Sequence, residues 1–158
     1  ILAIEKVVVQ LINFSIPLIL NIAVLLYLDV PLGIGVLIFP LAILPLVLLG
    51  WGLGLIFSLI EIVAVDVYTI IHRIITSLLV FATPVIYTDR VESEILQSVM
   101  KYNPITHLLN GARDILLYNE LSNPSAFFLV SAFTVVFFLL SYTFFVRAEK
   151  KIIEKIVI

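Results

Sequence analysis

The sequence predicts an all-α integral membrane fold: four transmembrane helices plus a pair of short helices carried on the outer side of the bilayer. Three observations predict it. The chain is 63% hydrophobic and only 13% charged over 158 residues, against about 45–50% and about 25% in soluble domains, and its mean hydropathy is +1.26. Its apolar residues come in long uncharged runs, which a soluble fold of this size has no core to hide. Its basic residues gather just beyond the last of those runs, where a membrane protein keeps its cytoplasmic anchor.

A spanning helix needs about 20 apolar residues at roughly 1.5 Å rise each. Val7 to Leu28, Val30 to Ile60 and Ala126 to Val146 are free of charge and long enough. The second run exceeds one crossing, so it tilts, or its Pro31–Pro40 start lies at the interface. Ile74 to Thr88 is uncharged but short, roughly 22 Å of helix. It reaches across if it begins near Val67, with Arg73 snorkelling to the headgroups. The predicted spans are about 7–28, 34–60, 68–88 and 126–146.

Arg147, Lys150, Lys151 and Lys155 fall within nine residues and place that end in the cytoplasm. Four spans then put the N-terminal end and the Glu61–Arg73 connection there too, and the Asp29–Gly33 turn and Asp89–Ser125 outside. The tail, with Lys150 and Glu154 four apart and Ile152, Ile153 and Ile156 together, suits a helix lying along headgroups. The chain opens Ile1-Leu2-Ala3 without methionine or a basic leader, and reads as a fragment of a longer protein.

The outer connection is more than a loop. Asn103-Pro104 is an N-cap followed by proline at the first helical position. Ile105, Leu108, Leu109, Ala112, Ile115 and Leu116 then share one helical face, with Ile95, Val99 and Tyr102 marking a shorter helix before the break. Over about 91–118 these are too short to span, and half-inserted or surface-lying helices fit. A surface amphipathic pair without a functional role fits the same pattern. Asn123-Pro124 repeats the starting device before the last span.

Polar residues inside the runs are the candidates for function. Gln10, Asn13 and Asn21 share one face of the first span. Such a stripe faces protein or water, either as part of a translocation surface or as interhelical hydrogen bonds. Gly50, Gly54 and Ser58, four apart, form a small-residue stripe that lets two helices pack closely. Glu61 and Asp66 follow, either meeting a cytoplasmic partner or simply solvated. His72 and His107 have no ligand neighbour at helical spacing, so no metal site is expected. The chain has no cysteine, and neither a phosphate-cradling Gly-rich loop with lysine nor a nucleophile–base arrangement. A net charge of −2 gives no sign of nucleic acid. No catalytic residue and no cofactor are assigned.

The order of features carries a resemblance. Leu49-Gly50-Trp51-Gly52-Leu53-Gly54 and Asp66 precede a span ending Thr83-Pro84-Val85-Ile86-Tyr87, followed by Asn103-Pro104-Ile105-Thr106 and Arg113. In that order the chain resembles the membrane subunit of type-2 ABC exporters, nearest to permeases for O-antigen, teichoic acid and other lipid-linked polysaccharides. Each motif spans only four or five residues. The resemblance runs the length of the chain, as the C-terminal four of six spans.

The resemblance implies a homodimer of permeases in the cytoplasmic membrane with two separate ATPase subunits, ATP and Mg staying on those partners. It implies that the helix pair is re-entrant and closes the pathway outside, with Asn103, Pro104 and Arg113 at the gate. Gln10, Asn13, Asn21, Thr83, Pro84 and Tyr87 become candidates for lining the pathway. Asp66, His72 and Arg73 become candidates for a secondary ATPase-docking surface, since their corner joins the Gly-rich span to the next. Relatives often carry Arg-Asp where this chain has Val65-Asp66. Exporters of lipids or drugs share the fold, and a non-transporting membrane scaffold is a further alternative. A secondary transporter would show a membrane-buried coupling acid, and only Glu61, at a span end, comes near.

Overall fold

A computed structural model describes residues 2–30, 32–82 and 94–156. Among them all regular structure is helical: α1 Leu2–Tyr27, α2 Gly35–Val63, α3 Val65–Ala82, α4 Glu94–Tyr102, α5 Pro104–Tyr118 and α6 Pro124–Ile156. The long helices stand where the apolar runs predict. Within α2 and α6, Gly35–Ile62 (mean hydropathy 2.4) and Pro124–Glu149 (2.2) are long and apolar enough to cross a membrane. Only 17% of each most apolar window is buried within the chain, so neither is the sequestered core helix of a soluble domain. The apolar part of α1, Ile12–Tyr27, is shorter, and α3 carries Asp66, His72 and Arg73 within its 18 residues.

Each helix boundary has a local cause. α1 ends on Asp29 at φ 53°, with the Val30 N–H donating to the Leu25 carbonyl and Asp29 N–H to Leu26. That is a left-handed stop of the kind glycine usually supplies. α2 and α3 are separated by one residue, Ala64, at φ −152° and ψ 83°. The Asn103 side chain accepts from the Ile105 N–H at 3.0 Å and starts α5 with Pro104 in its first turn. Asn123 does the same for α6, accepting from the Ala126 N–H at 3.1 Å. The short pair predicted over 91–118 is thus two helices broken at Asn103, with its first three residues outside the described ones.

α2, α5 and α6 form the packed body. Ala42, Leu49, Leu108, Ala112, Phe127 and Val130 make its core. On α2 the buried positions Gly35, Ala42 and Leu49 lie seven apart, as do Gly52 and Leu59. On α6 the buried positions Phe127, Val130, Thr134 and Ser141 keep a three-four spacing. Two helices that bury residues at this period pack side by side at a small crossing angle. The small members of the α2 stripe admit large partners: a Cβ on Gly52 would sit 2.9 Å from the Phe137 ring. Thr134, fully buried, donates its hydroxyl to the Ser131 carbonyl at 2.8 Å and needs no partner helix.

Two expectations can be set beside the packing within this chain. Gly50 and Gly54 are exposed, and a Cβ on either would meet nothing within 4 Å; the Ser58 hydroxyl turns back to the Leu55 carbonyl. The close approach within the chain falls on Gly52, and residues two apart on a helix point about 200° from one another, which leaves the Gly50 and Gly54 face to a helix outside this chain or to lipid. The second concerns the tail. α6 runs unbroken through Arg147 and the lysines to Ile156, 33 residues in all, or about 50 Å. Nothing in that stretch breaks a helix, so the tail is a continuation of α6.

Candidate functional site

α5 is held in place at both ends. Leu108 is completely buried and Ala112 nearly so; the apolar face that the sequence pattern predicts packs on α2 and α6. Gly111 admits the Phe127 ring of α6, whose Cδ2 a Cβ would overlap. At the C-terminal end Asn119 adopts φ 58°, closing α5, while its Oδ1 accepts the Gly35 N–H at 2.6 Å. Ile34 offers α2 no side-chain cap, so one asparagine ends one helix and caps another. A Cβ on Gly35 would run into the Ile115 carbonyl oxygen.

The other side of α5 is polar and borders two adjoining clefts. One, of ≈ 400 Å³, is lined by Gln97, Met100, Lys101, Thr106, His107 and Asn110. The other, of ≈ 240 Å³, is lined by His107, Asn110, Gly111, Asp114, Ser122 and Asn123. His107 Nε2 lies 2.8 Å from the Lys101 carbonyl; a carbonyl only accepts, so this nitrogen carries the proton. The bond ties the first turn of α5 to the last of α4. Asp114 accepts the Ser122 N–H at 3.0 Å and steadies the turn into α6. Among the expected gate residues, Asn103 and Pro104 make the elbow itself, and Arg113 lies half-buried farther along α5.

At the α2–α3 corner three rings meet. Phe57 is 6.5 Å from Tyr68 and 6.3 Å from His72, and Tyr68 is 5.4 Å from His72, centroid to centroid. His72 is therefore a packing ring as well as an exposed one. Tyr68, Thr69, His72, Arg73, Thr76 and Ser77 line an open cleft of ≈ 350 Å³. Asp66 opens α3, where a carboxylate suits the positive helix end. Asp66 and Arg73 are seven residues apart, on one face and both exposed; Asp66 does not line the cleft. Glu61 is exposed in the last turn of α2.

Of the pathway candidates only Asn13 and Asn21 have described side chains. Asn13 and Asn21 are exposed on α1, which makes no contact with another helix among the described residues. Asn21 donates to the Pro17 carbonyl at 2.8 Å, within its own helix. Gln10 lies on α1 with its side chain outside the description, and Thr83, Pro84 and Tyr87 lie outside the described residues altogether. Among the described residues no three of His, Asp and Glu gather as metal ligands. Sequence reasoning missed Asn119, Gly35 and the Lys101–Thr106 cleft. Only Asn119 had a signal, an asparagine where a helix stops.

No family model matches this chain, and no curated protein or solved structure does.

Proposed function

We propose that this chain is part of the transmembrane permease of an ATP-driven ABC exporter, moving a lipid-linked polysaccharide or a similar amphipathic glycan across the cytoplasmic membrane. In this reading 7–28, 34–60, 68–88 and 126–146 cross the bilayer and both ends of the chain are cytoplasmic. Two permease copies work with two separate ATPase subunits. The observation that carries it is a short helix pair, broken at Asn103-Pro104, whose second member α5 is seated on the two long apolar helices while α4 rests on α3 and α5, in the order that the motif resemblance requires. A broken pair of this kind is tolerated at membrane depth only where protein or water covers its free backbone groups. The uncovered faces of α2 around Gly50 and Gly54 leave room for the second permease copy.

Work from ATP enters such a protein only through contacts that differ between two states. The α2–α3 corner is suited to that role, since the Phe57–Tyr68–His72 rings join both helices at the cytoplasmic end. The test is isolation of the permease from native membranes with whatever ATPase accompanies it, in wild-type form and with Asp66→Ala and Arg73→Ala combined. An ATPase subunit is expected in the wild-type complex, and the double variant should assemble in the membrane yet lose most glycan-stimulated hydrolysis. Absence of any ATPase from the wild-type complex sinks the exporter reading. Full stimulation in the double variant sinks the docking assignment alone.

A further inference from the structure

We propose that one face of α3 lines a water-filled recess that opens at the α2–α3 corner and ends near Ser77. The proposal rests on the crossing of α3 proposed above, and not on export. At about 100° per residue, three arcs divide the surface of this helix. Tyr68, Ile71 and Ile75, all half-buried, share the arc on which Tyr68 meets the Phe57 ring of α2. Val67, Ile70 and Ile74 share the next and are 48%, 61% and 53% exposed. Asp66, Thr69, His72, Arg73, Thr76 and Ser77 fill the third, and all are exposed. No apolar residue between Asp66 and Ser77 falls on that arc. The uncovered surface of α3 is thus sorted into an apolar side and a polar side, and such sorting means that the two sides meet different media. An open cleft of ≈ 350 Å³ follows the polar side from Tyr68 to Ser77.

Three media could meet the polar arc, and two fail. Lipid suits Val67, Ile70 and Ile74, but hydroxyls and an arginine within a span avoid it and turn to protein or water. Protein from this chain offers Arg73 no counter-charge, since Val7 to Leu28, Val30 to Ile60 and Ala126 to Val146 carry no charged residue. Among the described helices α3 touches only α2 and α4, and the arc stays exposed beside both. A second copy fares no better. Two copies inserted the same way are related by an axis along the membrane normal, so α3 would face α3 at equal depth, Arg73 against Arg73 and Asp66 against Asp66. Like charges so placed repel. Water remains, and it hydrates every group on the arc.

The recess has an inner limit. Ser77 returns its hydroxyl to the Arg73 carbonyl at 2.9 Å, so it needs no water. Leu78 to Ala82 then contains no polar residue.

The test is labelling of single cysteines by an impermeant maleimide in inside-out membrane vesicles, on a chain without native cysteine. Thr69→Cys, Ile74→Cys and Thr76→Cys each replace an exposed side chain, and each should label fully once unfolded in dodecyl sulfate. Thr69→Cys and Thr76→Cys should label in intact vesicles, and Ile74→Cys should not. Thr76 lies about 12 Å beyond the start of the proposed span at 68, roughly 3 Å deeper than Ile74, so this order is set by the face and not by depth. Equal labelling of Ile74→Cys and Thr76→Cys overturns the proposal, because the two arcs then meet one medium. A silent Thr76→Cys beside a labelled Thr69→Cys also overturns it, because the arc is then dry. In that case oxidative cross-linking of Thr76→Cys between chains would identify a second copy as the cover. The labelling involves neither an ATPase nor a glycan, so its outcome is separate from that of the exporter test.

Discussion

Replacing Gly35 with alanine puts one methyl group where α2 begins against the end of α5. The Ile115 carbonyl oxygen occupies that space, and the Asn119 Oδ1 lies 2.8 Å from the new carbon. A flexible side chain can swing away, but a helical carbonyl cannot move without carrying α5. Forcing the two helices apart costs about 1–3 kcal/mol, by analogy with overpacked cores. It also stretches the 2.6 Å bond from the Gly35 N–H to Asn119, a cap worth about 1 kcal/mol. Alanine's better helix propensity returns at most about 1 kcal/mol. The expected net loss is about 1–3 kcal/mol. Gly54→Ala is the internal control: its methyl meets nothing within 4 Å, so propensity alone should make it neutral or stabilising by up to about 1 kcal/mol. The assay is equilibrium unfolding of the monomeric fraction in mixed maltoside and dodecyl sulfate micelles, followed by far-UV circular dichroism. Equal stability of the two alanine variants would refute the close approach at Gly35.

Asn103→Ala removes the acceptor of the Ile105 N–H and should cost about 1 kcal/mol in the same assay, whereas Pro104→Ala should cost less, since proline there only preorganises the first turn. Gly54→Leu should leave the monomer's melt unchanged but lower the dimer fraction in light scattering of the detergent complex, because that face is uncovered in the single chain; an unchanged dimer fraction would remove it from the dimer interface. Because the chain has no native cysteine, Ser125→Cys is a clean topology probe: an impermeant maleimide should label it from outside intact cells, and labelling only from the inside would overturn the proposed orientation.

Run length and the two Asn-Pro pairs made the helices legible in the sequence. Asn103 and Asn123 cap where they were expected to, because an N-cap is a bond across two or three residues and its partners are neighbours in the chain. The buried face of α5 was legible for another reason: apolar and polar residues alternate around it, and Leu108 and Ala112 are indeed buried. α2 has no such contrast. Almost every residue from Val36 to Ile60 is apolar, so hydrophobicity does not say which side meets α6. Glycine spacing then pointed to Gly50 and Gly54 without saying whose helix they meet, while the contact within the chain falls on Gly52. The Asn119–Gly35 bond was out of reach because its partners lie 84 residues apart, and no local pattern marks either as the other's complement. The Lys101–Thr106 cleft was hidden for a similar reason: it exists only once the elbow folds.

The same 84-residue separation gives the molecule an order of completion. At about 5–20 residues per second of synthesis, Asn119 leaves the ribosome some 4–17 s after Gly35. Throughout that interval the leading end of α2 has only water or its surroundings to satisfy its first amide. The helix can insert and lengthen, but its start stays unfastened until α5 arrives and stops on the asparagine that also secures α2. The junction is thus a seal set late, closing a part of the molecule made long before, with only α6 still to come.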